Sequence, residues 1–226
     1  MQEEELALQK AINSEDTDLI YLTLLHLERT RPDQESFFRL VHSHPEAANL
    51  LKIYYRNKVT PSDRSVLHNL LQYSRNYTEA GIAAVNQAYS QQSVDGNTQY
   101  LREASQLFGQ GRGDAAFLKS MTDEQLELLD IQKTLEIRSH RDFVGLSLSE
   151  TLYNLVLLGI EYSSDAVTWD REVTKLVKKF RVSDKSLWNI KIQCYCRTAS
   201  WGLLDKFSAE KKSPIGYKPF ALACIK

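Results

Sequence analysis

The side chains of this chain that could do chemistry are few, and their spacing decides what chemistry that would be. Cys194 and Cys196, with Cys224 as a third thiol, are soft donors of the kind that hold zinc. Zinc ligands come in pairs separated by two to four residues, with a second pair elsewhere. Here one residue intervenes, and on a helix residues two apart point about 200° from each other. The cysteines therefore read as packing residues, too few for a disulfide framework. His42 and His44, just before Pro45, read as solvated imidazoles at a helix end.

The other motifs fail on context. Gly109, Gly111 and Gly113 could cradle a phosphate, but no Gly-Lys-Ser/Thr follows and no strand precedes them, so the stretch reads as a flexible connection. His140-Arg141-Asp142 matches the letters of a kinase catalytic loop, yet the metal-binding asparagine expected five residues after the aspartate is Ser147. Asn76-Tyr77-Thr78 spells a glycosylation sequon but lies at a helix boundary. No nucleophile with a placed base and no carboxylate pair emerges. The expectation is a chain that is not an enzyme and has no cofactor and no metal site.

The elements that position these residues follow from composition. The chain has 226 residues, 28 basic against 29 acidic, with only 9 glycines and 5 prolines. So few breakers argue against a sandwich or barrel, which needs turns every eight to twelve positions. The balanced charge removes the field expected of a nucleic-acid binder. No apolar run is long enough for a membrane span, so direct insertion is not expected. Met1 leads into Gln-Glu-Glu-Glu, unlike a secretory signal, which makes the cytosol the expected compartment.

Along the chain, helix-length amphipathic segments follow one another with short connections. Glu3–Asn13 is the first, and Ser14, Asp16 and Thr17 supply cap chemistry for the next. Pro32, Pro45 and Pro61 stand where helices can begin, because the missing N–H would be unpaired there anyway. Val94–Gly96 reads as a turn between a helix from Thr78 and another from Asn97. Thr122 and Gln125 have capping-box spacing, as do Ser147 and Glu150 before a segment apolar on nearly all sides. Further helices run over Asp170–Phe180, Asp184–Thr198, Trp201–Ala209 and from Tyr217 onward. Leu70–Ala88 and Ile192–Phe207 share the order helix, short turn, aromatic, helix. Twelve or more helices with two- to six-residue links predict an all-α fold, an α-solenoid of antiparallel helical hairpins running through residues 1–226. A solenoid needs a polar terminal cap, and the apolar last helix suggests a fragment of a longer chain. Trp169, Trp188, Trp201, Tyr162, Tyr195 and Tyr217 make the last third the expected place of partner contact.

Three stretches carry a resemblance. Leu8–Leu27, Phe180–Trp188 and Lys211–Phe220 resemble, in order and spacing, the C-terminal region of the class C vacuolar protein-sorting subunit sixteen family, and the likeness covers essentially the whole chain. A paralogous family, the sperm-defective subunit that pairs with a different Sec/Munc-family member, shares this region. The resemblance implies an α-solenoid without catalysis and with the N-terminal β-propeller absent. It also implies membership of the HOPS and CORVET tethering complexes at late endosome and vacuole or lysosome membranes. Its implied partners are the Sec/Munc-family subunit, the other core subunits and, indirectly, SNAREs. A purely architectural segment of the tether is the other reading. Carried onto this sequence, the contact surface falls within about 97–197, centred on Leu118, Met121, Thr122 and Gln125 and on Lys185, Ser186, Trp188 and Asn189. Met121 replaces a small residue of animal relatives and Ser186 a basic one, so the partner must differ correspondingly, or these positions lie at the rim. Ser213–Gly216 reads as a hairpin turn.

Overall fold

The chain is described by a computed structural model over residues 2–31, 33–57, 61–210 and 213–225. Pro32 and the side chain of Cys224, which figured in the sequence reading, lie outside the described residues. Within them the fold is all-α, with thirteen α-helices, one 3₁₀ turn and no strand. Two compact units divide the chain, residues 1–126 and 127–226.

The first unit holds α1 (Gln2–Asn13), α2 (Thr17–Thr30), α3 (Gln34–His42), α4 (Pro45–Arg56), α5 (Pro61–Tyr73), α6 (Tyr77–Tyr89) and α7 (Val94–Gln110). Their starts follow from cap chemistry. Asp16 accepts from the Asp18 and Leu19 amides, Asp33 from Ser36, and Pro45 opens α4. Each helix packs mainly on helices one or two places away in sequence, the connectivity of stacked hairpins. The core runs from Leu8 through Leu24, Phe37 and Leu51 to Leu70 and Phe108.

Two boundaries differ from the sequence reading. Val94–Gly96 is the first turn of α7, because Ser93 caps it by accepting from the Gly96 amide at 3.1 Å. α6 begins at Tyr77, capped by Asn76, and not at Thr78. Within the glycine-rich stretch only Gly111 is closely packed. Gly109 ends inside α7, and a Cβ on Gly111 would stand 2.6 Å from that of Ala115. Only Gly113, at φ +63°, uses a glycine's left-handed freedom there.

The helix α8 (Ala115–Ser139) contains the division between the units. The Thr122–Gln125 capping box predicted from sequence is therefore not a helix start. Ala115, Ala116, Leu118 and Lys119 are good helix formers with no breaker among them, so the helix begins a full turn or more earlier. In that interior setting the Thr122 hydroxyl donates back to the Leu118 carbonyl at 2.8 Å.

The second unit continues with α9 (Leu148–Glu161), a 3₁₀ turn (Ser163–Asp165), α10 (Ala166–Lys179), α11 (Asp184–Arg197), α12 (Trp201–Glu210) and α13 (Lys218–Ile225). Here the Ser147–Glu150 capping box forms as the letters predict. α9 is buried between α10 and α11, which accounts for its apolar circumference. α11 is likewise sandwiched. Ile190 and Cys194 face the cluster of α9 and α10, while Trp188 and Ile192 face that of α12 and α13. Cys196 packs beside this second cluster, so the two thiols point to different cores, as their spacing requires. The Ser213–Gly216 turn forms, with Gly216 at φ +73° and its carbonyl accepting from the Ser213 hydroxyl.

Candidate functional site

The residues singled out by sequence fall into two groups, one in each unit. Leu118, Met121, Thr122 and Gln125 lie on the first half of α8; Lys185, Ser186, Trp188 and Asn189 lie on the first turns of α11.

On α8 helical spacing separates inside from outside. Leu118 packs against the first unit's core and Thr122 is buried, so neither presents its side chain as an open contact. Met121 is 50% exposed, and Phe117, one turn earlier on the same face, is 66% exposed. Phe117 was missed in sequence because an aromatic at helical spacing is most simply assigned to a core. The signal that could have found it is its placement four residues before Met121. Gln125 is partly exposed beside them. This face is fixed to α7 through Asp123, which accepts from the Ser105 hydroxyl and from Lys119. Partial burial pushes the Asp123 carboxyl up, but those hydrogen bonds outweigh it and hold it below its ordinary value.

On α11 the same division appears. Lys185, Ser186 and Asn189 are exposed, at spacings that put them on one face. Trp188 is not part of that face. It is buried, with its ring 4.2 Å from that of Phe207 and edge-on to Phe220 at 6.1 Å. Its contribution to any surface is to anchor the helix that carries the neighbouring residues. Ser186 is held by the cap, its amide donating to Ser183 Oγ at 3.2 Å.

Of the remaining aromatics in the last third, Trp169 is buried, while Trp201, Tyr162 and Tyr217 are exposed. Cys194 is fully enclosed, and burial pushes its thiol up to about 11, so it stays protonated near neutrality. His44 is partly buried and within hydrogen-bond reach of the Leu40 carbonyl and the Gln9 amide oxygen, a structural setting. Among the described residues, no three His, Cys, Asp or Glu side chains converge as for a metal, and no helix is long and apolar enough to cross a membrane. The first unit has a cleft of about 660 Å³ with His68, Glu103, Arg56 and Glu79 in its lining. There Arg56 pairs with Glu79 at 2.9 Å, and His68 Nε2 lies 2.8 Å from a Glu103 carboxylate oxygen.

Comparison with known proteins places the chain. Residues 1–226 match the family described as Vps16, C-terminal region. The vacuolar protein sorting-associated protein 16 homolog of Dictyostelium discoideum is 31% identical over 229 residues, covering all of this chain and 26% of that protein. Protein VACUOLELESS1 of Arabidopsis thaliana is 29% identical over 99% of this chain and 26% of its own. Vacuolar protein sorting-associated protein 16 of Saccharomyces cerevisiae is 27% identical over 76% of this chain and 20% of its own. The chain thus spans about a quarter of the length of the curated relatives it matches. An all-α chain matched from its first residue to its last by one family belongs to that family, the C-terminal region of Vps16.

Proposed function

We propose that this chain is a non-enzymatic scaffold region of a vacuolar protein-sorting subunit, and that within the HOPS and CORVET tethering complexes it binds the Sec/Munc-family subunit. Through that partner it supports SNARE-mediated fusion at late endosome and vacuole or lysosome membranes, where it is held peripherally. The observation that carries this reading is family membership over the full chain, since relatives bear the vacuolar protein-sorting name. The surfaces are compatible with it. Each unit offers exposed residues on a rigid helical face, Met121 with Phe117 and Gln125 on α8, and Lys185, Ser186 and Asn189 on α11. Recognition then rests on shape and a few anchors, and a durable complex buries about 1,200–2,000 Å² in total.

Size-exclusion chromatography of the chain with the Sec/Munc-family subunit tests the proposal: a stable 1:1 peak is expected. Met121→Asp puts a charge in the middle of the α8 face and is expected to weaken binding by about 2 kcal/mol or more, read by calorimetry. Because Met121 is half exposed, the variant should keep the wild-type melting temperature. Wild-type affinity in that variant would remove α8 from the interface. Absence of any complex would leave a purely architectural segment.

A further inference from the structure

The second unit carries a concentration of positive charge of which the proposed partner face takes only Lys185. Between residues 166 and 197 there are 8 basic and 3 acidic side chains, in a chain whose net charge is −1. On α10 the pattern is ordered. Trp169, Val173 and Leu176 are the buried face. Val167, Arg171, Lys175 and Lys178, spaced by four, four and three residues, lie roughly 160° away at about 100° per residue. All four are exposed, Val167 by 66%. Arg181 follows, also exposed, at a left-handed backbone position just past the helix end.

The nearby acids do not neutralise this stripe. Asp170 is taken by Lys191 at 3.2 Å. Glu172 lies between Arg138 at 3.0 Å and Lys175 at 3.1 Å, and Glu127 takes Lys179 at 3.2 Å. The side chains of Arg171, Lys178 and Arg181 have no hydrogen bond or ion pair with any described residue. Three cations without counter-ions thus stand on or beside one outward helix face about 16 Å long.

We infer that the outward face of α10, through Arg171, Lys178 and Arg181, adsorbs to the anionic phospholipid surface of a bilayer. The chemistry favours this occupant over an acidic protein. A protein interface needs a central apolar or aromatic anchor in a pocket, and this face offers a single valine on the convex side of a helix. A bilayer asks only for unobstructed cations, each strengthening adsorption about five-fold on an anionic surface. Val167 at one end adds a small apolar contact without inserting the helix.

Co-sedimentation of the chain with phosphatidylcholine vesicles, with and without about 30% phosphatidylserine, tests the inference. Binding is expected only to the anionic vesicles and should fall steeply between low and physiological salt. Replacing Arg171, Lys178 and Arg181 together by Gln should lower the partition about a hundred-fold, the product of three such factors. None of the three touches the core, and circular dichroism with the melting temperature checks that the fold is kept. Three results would overturn it: equal binding to neutral vesicles, an undiminished partition in the triple variant, or poly-glutamate binding at the stripe with no vesicle binding. The Sec/Munc-family complex is scored separately on Met121→Asp, so either reading can fail while the other stands.

Discussion

Residues 1–126 and 127–226 solve the same problem, holding short helices side by side, by different means. The first unit brings helices together through small residues. α6 presents Ala80, Gly81, Ala84 and Ala88 as its buried face, and a Cβ on Gly81 would lie 2.5 Å from the Phe108 ring of α7. The second unit instead builds a polar clamp into its interior. Gln132 is fully buried, donates to the Leu146 carbonyl at 2.7 Å and to the Thr151 hydroxyl at 2.8 Å, and accepts from the Gly145 amide at 3.2 Å. One turn on, Glu136 accepts from the amides of Phe143 and Val144, both at 2.7 Å, which seats Phe143 in the core. The charges divide as well: 12 basic and 17 acidic residues in the first unit, 16 and 12 in the second. A net charge near zero for the chain therefore hides an acidic unit and a basic one.

The clamp should be the more sensitive of the two devices. Gln132→Leu keeps the volume but leaves the Gly145 amide and the Leu146 carbonyl without partners, at about 1–3 kcal/mol each, so a loss of roughly 3 kcal/mol is expected. All three tryptophans lie after residue 126, so tryptophan fluorescence in urea reports the second unit, while far-ultraviolet dichroism reports both. The fluorescence midpoint should move more than the dichroism midpoint. Equal shifts would mean that the two units unfold as one. Gly81→Val is the matching test of the first unit. The branched side chain must displace the Phe108 ring, for about 2 kcal/mol of overpacking, and here dichroism should move while fluorescence lags.

Protonation acts on both units, with smaller effects. In the second, partial burial raises the Glu172 carboxyl, but hydrogen bonds from Arg138 and Lys175 prevail and hold it below its ordinary value. The unfolded chain then takes up the proton first as pH falls, so this stabilisation is complete above the ordinary carboxylate range and is lost below it. Cys194 gives the opposite edge. Its thiol is raised from an ordinary value near 9 to about 11, so above pH 9 the unfolded chain ionises first and stability falls. Fluorescence-detected melts of Cys194→Ala, referenced to their own midpoint at pH 7, should lose the alkaline decline. A decline that persists unchanged would assign it to other groups.

The fold was largely legible because its signals are local. Caps and proline starts such as Asp16, Pro45 and the Ser147–Glu150 box depend on residues a turn apart, and the structure uses them as written. The Thr122–Gln125 box has the same spacing and is silent, because a capping residue works only where the preceding backbone is not already helical. The candidate surface was less legible for a related reason. Periodicity says that Trp188 and Ser186 occupy different faces, but not which face another helix covers. Trp188 went inside because α12 and α13 supply Phe207 and Phe220, a contact between residues far apart in sequence. Phe117 stayed outside although its type suits a core. The interior role of Gln132 had no sequence signal, since its partners lie 13 to 19 residues on.

The scarcity of glycine sharpens one last comparison, because the two units share a link that the sequence hinted at. After α5 and after α11 the chain turns through a left-handed residue that is not glycine, Arg75 at φ +54° and Ala199 at φ +50°. In each case the next amide reaches back five residues, Asn76 to Leu71 and Ser200 to Tyr195, both at 2.9 Å. These are Schellman ends, in which the left-handed position is normally glycine. A side chain there costs about 1 kcal/mol that glycine avoids, partly offset by the greater freedom of glycine in the unfolded chain. Arg75→Gly and Ala199→Gly should therefore each stabilise by about 0.5 kcal/mol, the first shifting the dichroism melt and the second the tryptophan melt. Stabilisation at Ala199 with destabilisation at Arg75 would show that the arginine side chain makes a contact outweighing its backbone strain, and that the shared turn is held differently in the two units.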